Sequence, residues 1–310
     1  MENIVTVSNL QKSFKDNHVL KGVDFTIRKG SIFALLGSNG AGKTTAIKIL
    51  STLTKADGGS ATICGYDVFK QPSEVRGSIS LTGQYAAVDE MLTGRENIRL
   101  IGALKHLPDA HKQADEFLAK VDLEFAADKL VSTYSGGMRR RLDIAMSLMG
   151  SPPVIFLDEP TTGLDPQNRI ALWDMIAKLA DSGTSILLTT QYLEEAEYLA
   201  DHIAILHGGV ITAEGSPEEL KKMLPIGEIS LEFMKSEDAT RAKALLASYD
   251  FTAGRKTIEV STDGSTKQLA EILNLINDNG ITVTRFTQNQ PSLEDVFLTL
   301  IGEKDGNKNG

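Results

Sequence analysis

Cysteine is nearly absent: Cys64 stands alone, so no internal disulfide and no multi-cysteine metal site can form, and reducing surroundings suffice. A lone cysteine of this kind is expected to be a small buried apolar residue. Long apolar runs are missing too. Ile32–Leu36 and Val154–Leu157 fall far short of the ~20 residues a membrane-crossing helix needs. The opening MENIVTVSNLQKSF lacks the basic start and apolar stretch of a secretory signal, so no export of this chain is expected. A basic excess is also lacking. The 32 lysines and arginines against 41 acidic residues leave a formal net charge of −9, which speaks against a general nucleic-acid binder. What is present is ordinary globular composition, 41% hydrophobic and 24% charged, so most of the chain should fold. Its 310 residues exceed the ~100–150 of a typical domain, which predicts more than one core.

Short alternating runs in residues 3–36, IVTVSNL, VDFTI and SIFALLG, read as strands broken by the Lys29-Gly30 turn. Ile47, Ile49, Leu50 and Leu53 then recur at helical spacing, which predicts a helix over Lys43–Leu53. From Val88 to Gly150 only helical patterns occur, over Glu96–Leu104, Ala110–Val121 and Ser135–Met149. Strands return at Pro153–Leu157, Ser185–Thr189 and His202–Leu206, alternating with helical patterns Asn168–Asp181 and Leu193–Leu199, which argues for a parallel sheet covered on both faces. The pattern breaks at Leu224-Pro225-Ile226-Gly227. Beyond it, strands at Ile229–Phe233, Lys256–Ser261 and Ile281–Phe286 alternate with helices at Ala239–Ala247, Lys267–Asn277 and Leu293–Ile301, and a short strand near Phe251 would complete a ferredoxin-like unit.

Gly37-Ser38-Asn39-Gly40-Ala41-Gly42-Lys43-Thr44 matches the G-x-x-x-x-G-K-[ST] pattern and stands between a strand and a helix, as the pattern requires. Its glycines let successive backbone N–H groups turn inward, and the following helix adds the positive end of its dipole to a triphosphate site. Lys43 would bridge the β- and γ-phosphates, the Thr44 hydroxyl would ligate magnesium, and Thr45 would reach the α-phosphate. The apolar strand ending in Asp158 places a carboxylate at the sheet edge for the metal. Glu159 follows, pointing elsewhere, and can polarise the attacking water.

Tyr134-Ser135-Gly136-Gly137-Met138, followed by Val154–Asp158 and Glu159 and then Gly163-Leu164-Asp165-Pro166, resembles the signature elements of ATP-binding cassette proteins in their chain order, over residues 3–222. The resemblance implies a phosphate-loop α/β fold: a mostly parallel sheet core with N-terminal antiparallel strands and a helical insertion at about 86–150. With the cassette at 1–225, the strand and helix pattern past the break predicts an accessory α+β domain at 228–302, and the polar, glycine-containing end a disordered tail at 303–310. The resemblance also implies that Ser135, Gly136 and Gly137 face ATP bound on a second cassette, with Asp165 at that interface, so the site is complete only in a head-to-tail homodimer or paired cassette. Gln84 resembles the glutamine that touches magnesium, and Phe14 the aromatic that stacks on adenine, with core packing as the alternative for Phe14. Where the family places a γ-phosphate histidine this chain has Gln191, whose amide can donate but cannot titrate. Tyr134 and Met138 depart from the commonest signature.

These departures, with the segment Thr82–Glu90 and the late Pro291-Ser292-Leu293-Glu294-Asp295-Val296-Phe297, resemble the daunorubicin-resistance type of drug-exporter ATPase. The implied activity is ATP hydrolysis with Mg2+ that drives export of a drug, antibiotic or lipid-like compound. A separate transmembrane permease would hold the chain at the cytoplasmic face of the membrane, and no nucleic-acid partner is expected. The alternative is a soluble, non-transport cassette ATPase acting on a ribosome or nucleic acid, which commonly carries two cassettes or a long coiled-coil insertion.

Overall fold

The computed structural model describes residues 2–224, 227–289 and 291–306. They fall into two compact units, Met1–Pro217 and Glu218–Gly310.

In the first unit the alternating N-terminal runs form two long antiparallel strands, β1 (Asn3–Phe14) and β2 (Asn17–Arg28). The wholly apolar β3 (Ile32–Leu36) is buried along its length, and α1 (Lys43–Leu50) follows the glycine-rich loop. Helical spacing predicts α1 to Leu53, but it stops at Leu50. There the Ser51 hydroxyl donates back to the Ile47 carbonyl at 2.8 Å and Thr52 takes a φ of 64°, so the apolar Leu53 falls outside the helix and is exposed. Residues 54–87 carried no predicted element, yet they form β4 (Gly58–Ile63), β5 (Tyr66–Asp67), α2 (Pro72–Ser78) and β6 (Ile79–Thr82). β4 and β5 complete an antiparallel sheet in the order β2-β1-β4-β5.

The insertion is helical as expected: α3 (Gly94–Leu104), α4 (Ala110–Lys120) and α5 (Gly136–Leu148). The chain then alternates through β7 (Val154–Asp158), α6 (Pro166–Asp181), β8 (Ser185–Thr190), α7 (Leu193–Leu199), β9 (His202–His207), β10 (Val210–Gly215) and α8 (Pro217–Lys221).

The second sheet runs β10-β9-β3-β8-β7-β6, all neighbours parallel except β10 on β9. Register decides what its carboxyl edge presents. Leu36 pairs with Thr190, Asp158 with Thr189 and Thr82 with Leu157, so four strands end together. The residues that follow them, Gly37, Glu159, Gln191 and Gly83-Gln84, therefore emerge along one edge, where open α/β sheets bind ligands. One core joins the two sheets around α1. Phe25 and Phe33 stack across it at 5.0 Å, with Leu35, Ile47 and Phe156 buried beside them. Cys64 is half-buried at the margin of this core rather than inside it, in a left-handed conformation with φ 51°.

After all but the first residue of α8, the second unit continues with β11 (Glu228–Phe233), α9 (Ser236–Leu245), β12 (Phe251–Ala253), β13 (Thr257–Ser261), α10 (Thr266–Asp278), β14 (Val283–Asn289) and α11 (Leu293–Gly306). Its sheet order β12-β13-β11-β14, with every neighbouring pair antiparallel, is the split βαββαβ arrangement. Ile229, Leu231, Phe233, Ile258, Val260, Ile272 and Ile276 give it a core of its own. The division falls at Pro217/Glu218, earlier than the predicted break, of which Pro225 and Ile226 lie outside the described residues. α11 continues through Gly306 into the segment expected to be a disordered tail, and residues 307–310 lie outside the described residues. No helix of the described residues is long and apolar enough to cross a membrane.

Candidate active site

The loop between β3 and α1 brings Lys43 to the carboxyl edge, only 4% exposed. Its ammonium donates to the carbonyls of Gly37 at 2.8 Å and Ser38 at 3.2 Å and lies 3.3 Å from Glu159 Oε1. Gly42 caps α1 at φ 113°, and a Cβ there would stand 2.7 Å from Leu20, so only glycine fits this bend. The Thr44 hydroxyl donates to Asp158 Oδ1 at 3.2 Å, and Thr189 donates to the same oxygen at 2.6 Å. A hydroxyl and a buried carboxylate sharing one point are hard oxygen donors that suit magnesium.

Glu159 leaves β7 at φ 49°, a left-handed conformation rare outside glycine. Its N–H donates to both the carbonyl and the hydroxyl of Thr189 at 3.1 Å, which holds the kink. Its Oε2 accepts from Gln84 Nε2 at 3.3 Å and from Thr162 at 3.4 Å. Phe14, Lys43, Thr44, Thr45, Gln84 and Glu159 line one open cleft of about 380 Å³, which also includes Asn39, Gly40 and Gly42. Phe14 lines it half exposed, and the Lys12 ammonium lies 5.3 Å from the ring centroid, anchored by Asp57 at 2.7 Å.

The signature residues, Asp165 and Gln191 do not line this cleft. Ser135 caps α5, accepting from the Met138 N–H at 3.2 Å, with Gly136 exposed beside it. Gly137 is buried where a Cβ would strike the Asn168 side chain. Asn168 in turn bonds Asp165 through its N–H at 2.9 Å and its amide at 2.6 Å, and these bonds lower the Asp165 pKa. Signature and Asp165 are thus neighbours, but neither lines the cleft. Gln191 emerges one residue past β8, and among the described residues no hydrogen bond joins it to Lys43, Asp158 or Glu159.

Sequence reasoning missed Thr189, Arg140 and the purpose of Tyr134. Tyr134 is buried and its hydroxyl donates to the Ala126 carbonyl at 2.7 Å, tying the signature to the insertion where the commonest motif has leucine. Arg140 could have been found by its spacing, since it falls on the buried stripe Gly137, Arg140, Ile144, Leu148 of α5. Burial pushes its pKa down, opposed by Asp143, Glu195 and Asp158.

A phosphate loop, a strand-end carboxylate pair and a helical insertion between them define a cassette-type nucleotide-binding protein. Comparison with known proteins places it further. Residues 20–162 match the family described as "ABC transporter", and residues 215–301 match "ATP-binding protein DrrA1-3-like, C-terminal domain". The chain is 44% identical to "Daunorubicin resistance ATP-binding protein DrrA2" of Streptomyces coeruleorubidus, over 98% of this chain and 96% of that protein. It is 34% identical to "Nod factor export ATP-binding protein I" of Ralstonia nicotianae, over 97% and 94%. A solved ATP-binding cassette, described as the dimeric structure of a post-hydrolysis state bound to ADP and Pi, superposes with a TM-score of 0.62 at 26% identity, over 68% of this chain and 98% of that one. The chain belongs to the ABC transporter family.

Proposed function

We propose that this chain hydrolyses ATP to power export through a separate permease, and that the cleft lined by Phe14, Lys43 and Glu159 is its nucleotide site. The observation that carries the reading is the register of β3, β6, β7 and β8, which delivers Lys43, Gln84, Asp158 and Glu159 to one edge. The backbone of Gly37–Thr44 and the start of α1 receive the triphosphate, with Ser38, Asn39, Gly40 and Ala41 forming the turn and Thr45 reaching the α-phosphate. Adenine stacks on Phe14. Lys43, whose ammonium sits on its own loop carbonyls and Glu159, transfers to the β- and γ-phosphates. Thr44, Asp158 and Gln84 would hold a magnesium ion, which supplies neutralising charge at the phosphates when bound. Glu159, released from Lys43, polarises the attacking water and takes its proton, while Gln191 donates to the γ-phosphate.

Ser135, Gly136 and Gly137 stand outside the cleft because they serve the ATP of a second cassette, with Asp165 at the same interface. ATP then joins two copies head to tail and hydrolysis releases them. The similarity to drug-resistance and Nod-factor-export proteins supports an exporter over a ribosome- or nucleic-acid-acting ATPase, with the permease placing the chain at the cytoplasmic face of the membrane. The test is phosphate release in membranes carrying the chain and its permease. Release should require Mg2+ and vanish in Lys43→Ala together with ATP binding. A Lys43→Ala chain that binds and hydrolyses ATP normally would overturn the reading.

A further inference from the structure

Arg140 is 5% exposed on a helix stripe that is otherwise glycine and aliphatic. A guanidinium carries five N–H donors and is costly to bury unless they are satisfied, so its partners show what it is for. Most of them are backbone carbonyls. Nε donates to Pro160 O at 2.7 Å, Nη2 to Asp158 O at 3.3 Å and Nη1 to Gly83 O at 2.6 Å. The first two flank Glu159 and the third immediately precedes Gln84. Nη1 also meets Asp143 Oδ2 at 3.3 Å, one turn along α5, and the other oxygen of Asp143 accepts from the Ala87 N–H at 3.2 Å. The pair therefore grips the Gln84 segment at Gly83 and Ala87 and the Glu159 segment at Asp158 and Pro160.

Carbonyl contacts fix where a backbone lies rather than neutralise a charge. Glu159 has need of this, since its left-handed φ of 49° persists only where the surroundings over-determine it. The Thr189 bonds hold its N–H, and Arg140 holds the carbonyls on either side. Arg140 projects from the helix that Ser135 caps, so one guanidinium spans the signature helix and the two segments that meet at the Gln84–Glu159 contact.

We propose that Arg140 is a positioning residue for hydrolysis, which clamps the backbone on both sides of Glu159 and beside Gln84 so that the Glu159 carboxylate, in contact with Gln84, is held where the water attacks. The inference rests on the reading of Glu159 given above. Arg140 touches none of the groups that line the nucleotide cleft by its side chain, so its loss should leave binding intact.

The test uses the full-length chain with three variants: Arg140→Lys, the pair Arg140→Met with Asp143→Leu, and Glu159→Gln as reference. Replacing both members of a buried ion pair by apolar residues avoids stranding one charge and is usually tolerated. In the paired variant kcat should fall about 10–100-fold, the scale of misplacing a reacting group by roughly 1 Å, with KM and calorimetric ATP affinity within about 3-fold of the parent. Arg140→Lys should fall between the two, since one ammonium can serve the carbonyls of one segment but not both. A merely structural role would instead lower the unfolding midpoint and ATP affinity together. A folded variant with kcat within about 2-fold of the parent, or one whose ATP affinity falls in step with its rate, overturns the proposal. If the paired variant does not fold, Arg140→Lys decides by the same criteria. Glu159→Gln turning over at the parent rate would sink the site reading itself, whereas an inactive Glu159→Gln beside normal Arg140 variants would sink this inference alone.

Discussion

An amide at position 191 donates a hydrogen bond at any pH from acid to alkaline, so the contribution proposed for it at the γ-phosphate would be constant where an imidazole's would titrate. Gln191→Ala should slow phosphate release in the assembled transporter by about 10–1000-fold, the scale of losing one stabilising donor, and full turnover would remove Gln191 from the site. Asp143 titrates in a useful window. Burial pushes its carboxyl up to about 6, against the pull of Arg140 and the Ala87 N–H. Because the folded pKa lies above the unfolded value of about 4, the folded chain binds the extra proton between these limits. This group's contribution to stability is therefore greatest at low pH, declines as pH rises from about 4 to about 6, and is level above. Urea unfolding of the parent beside Asp143→Asn should show the parent losing stability relative to the variant across that window, and a constant difference would contradict it.

Helix α3 opens with a reciprocal cap. The Thr93 hydroxyl accepts from the Glu96 N–H at 3.2 Å, and the Glu96 carboxylate accepts from the Thr93 N–H at 2.8 Å. Thr93→Ala should cost about 1 kcal/mol in urea denaturation, with no change in ATP affinity, since the cap lies in the insertion. Local features are the ones that sequence makes legible: Gly37–Thr44, α1 and the carboxylate pair at the end of β7 each occupy a few consecutive residues. β6 escaped because a four-residue ISLT segment has no periodicity to measure, and it became a strand only by pairing in parallel with β7. β10 was hidden in the same way, since VITAEG pairs with β9 although its apolar positions are few. The Arg140 clamp joins residues 18 to 57 positions apart, and no local pattern marks such partners. Glu159's contact with Lys43 was likewise invisible, because it needs β3 and β7 brought to one edge by β8.

At the scale of the whole molecule, each of the two units has its own core, and every residue of the cleft belongs to the first. We propose that the second unit tunes cassette pairing or permease assembly. Truncation after Leu224 should then leave calorimetric ATP affinity within a few-fold of the full chain while altering dimerisation by light scattering; a truncated chain that folds but no longer binds ATP would place the second unit in the site. The central claim is narrower: ATP bound in this cleft is hydrolysed by water that Glu159 activates. Its most direct test is Glu159→Gln measured beside the parent for ATP binding, steady-state phosphate release and oligomeric state. Binding should persist within a few-fold, release should fall by about 10²–10⁴-fold, and the variant should accumulate as an ATP-bridged dimer. Phosphate release at the parent rate would contradict the account.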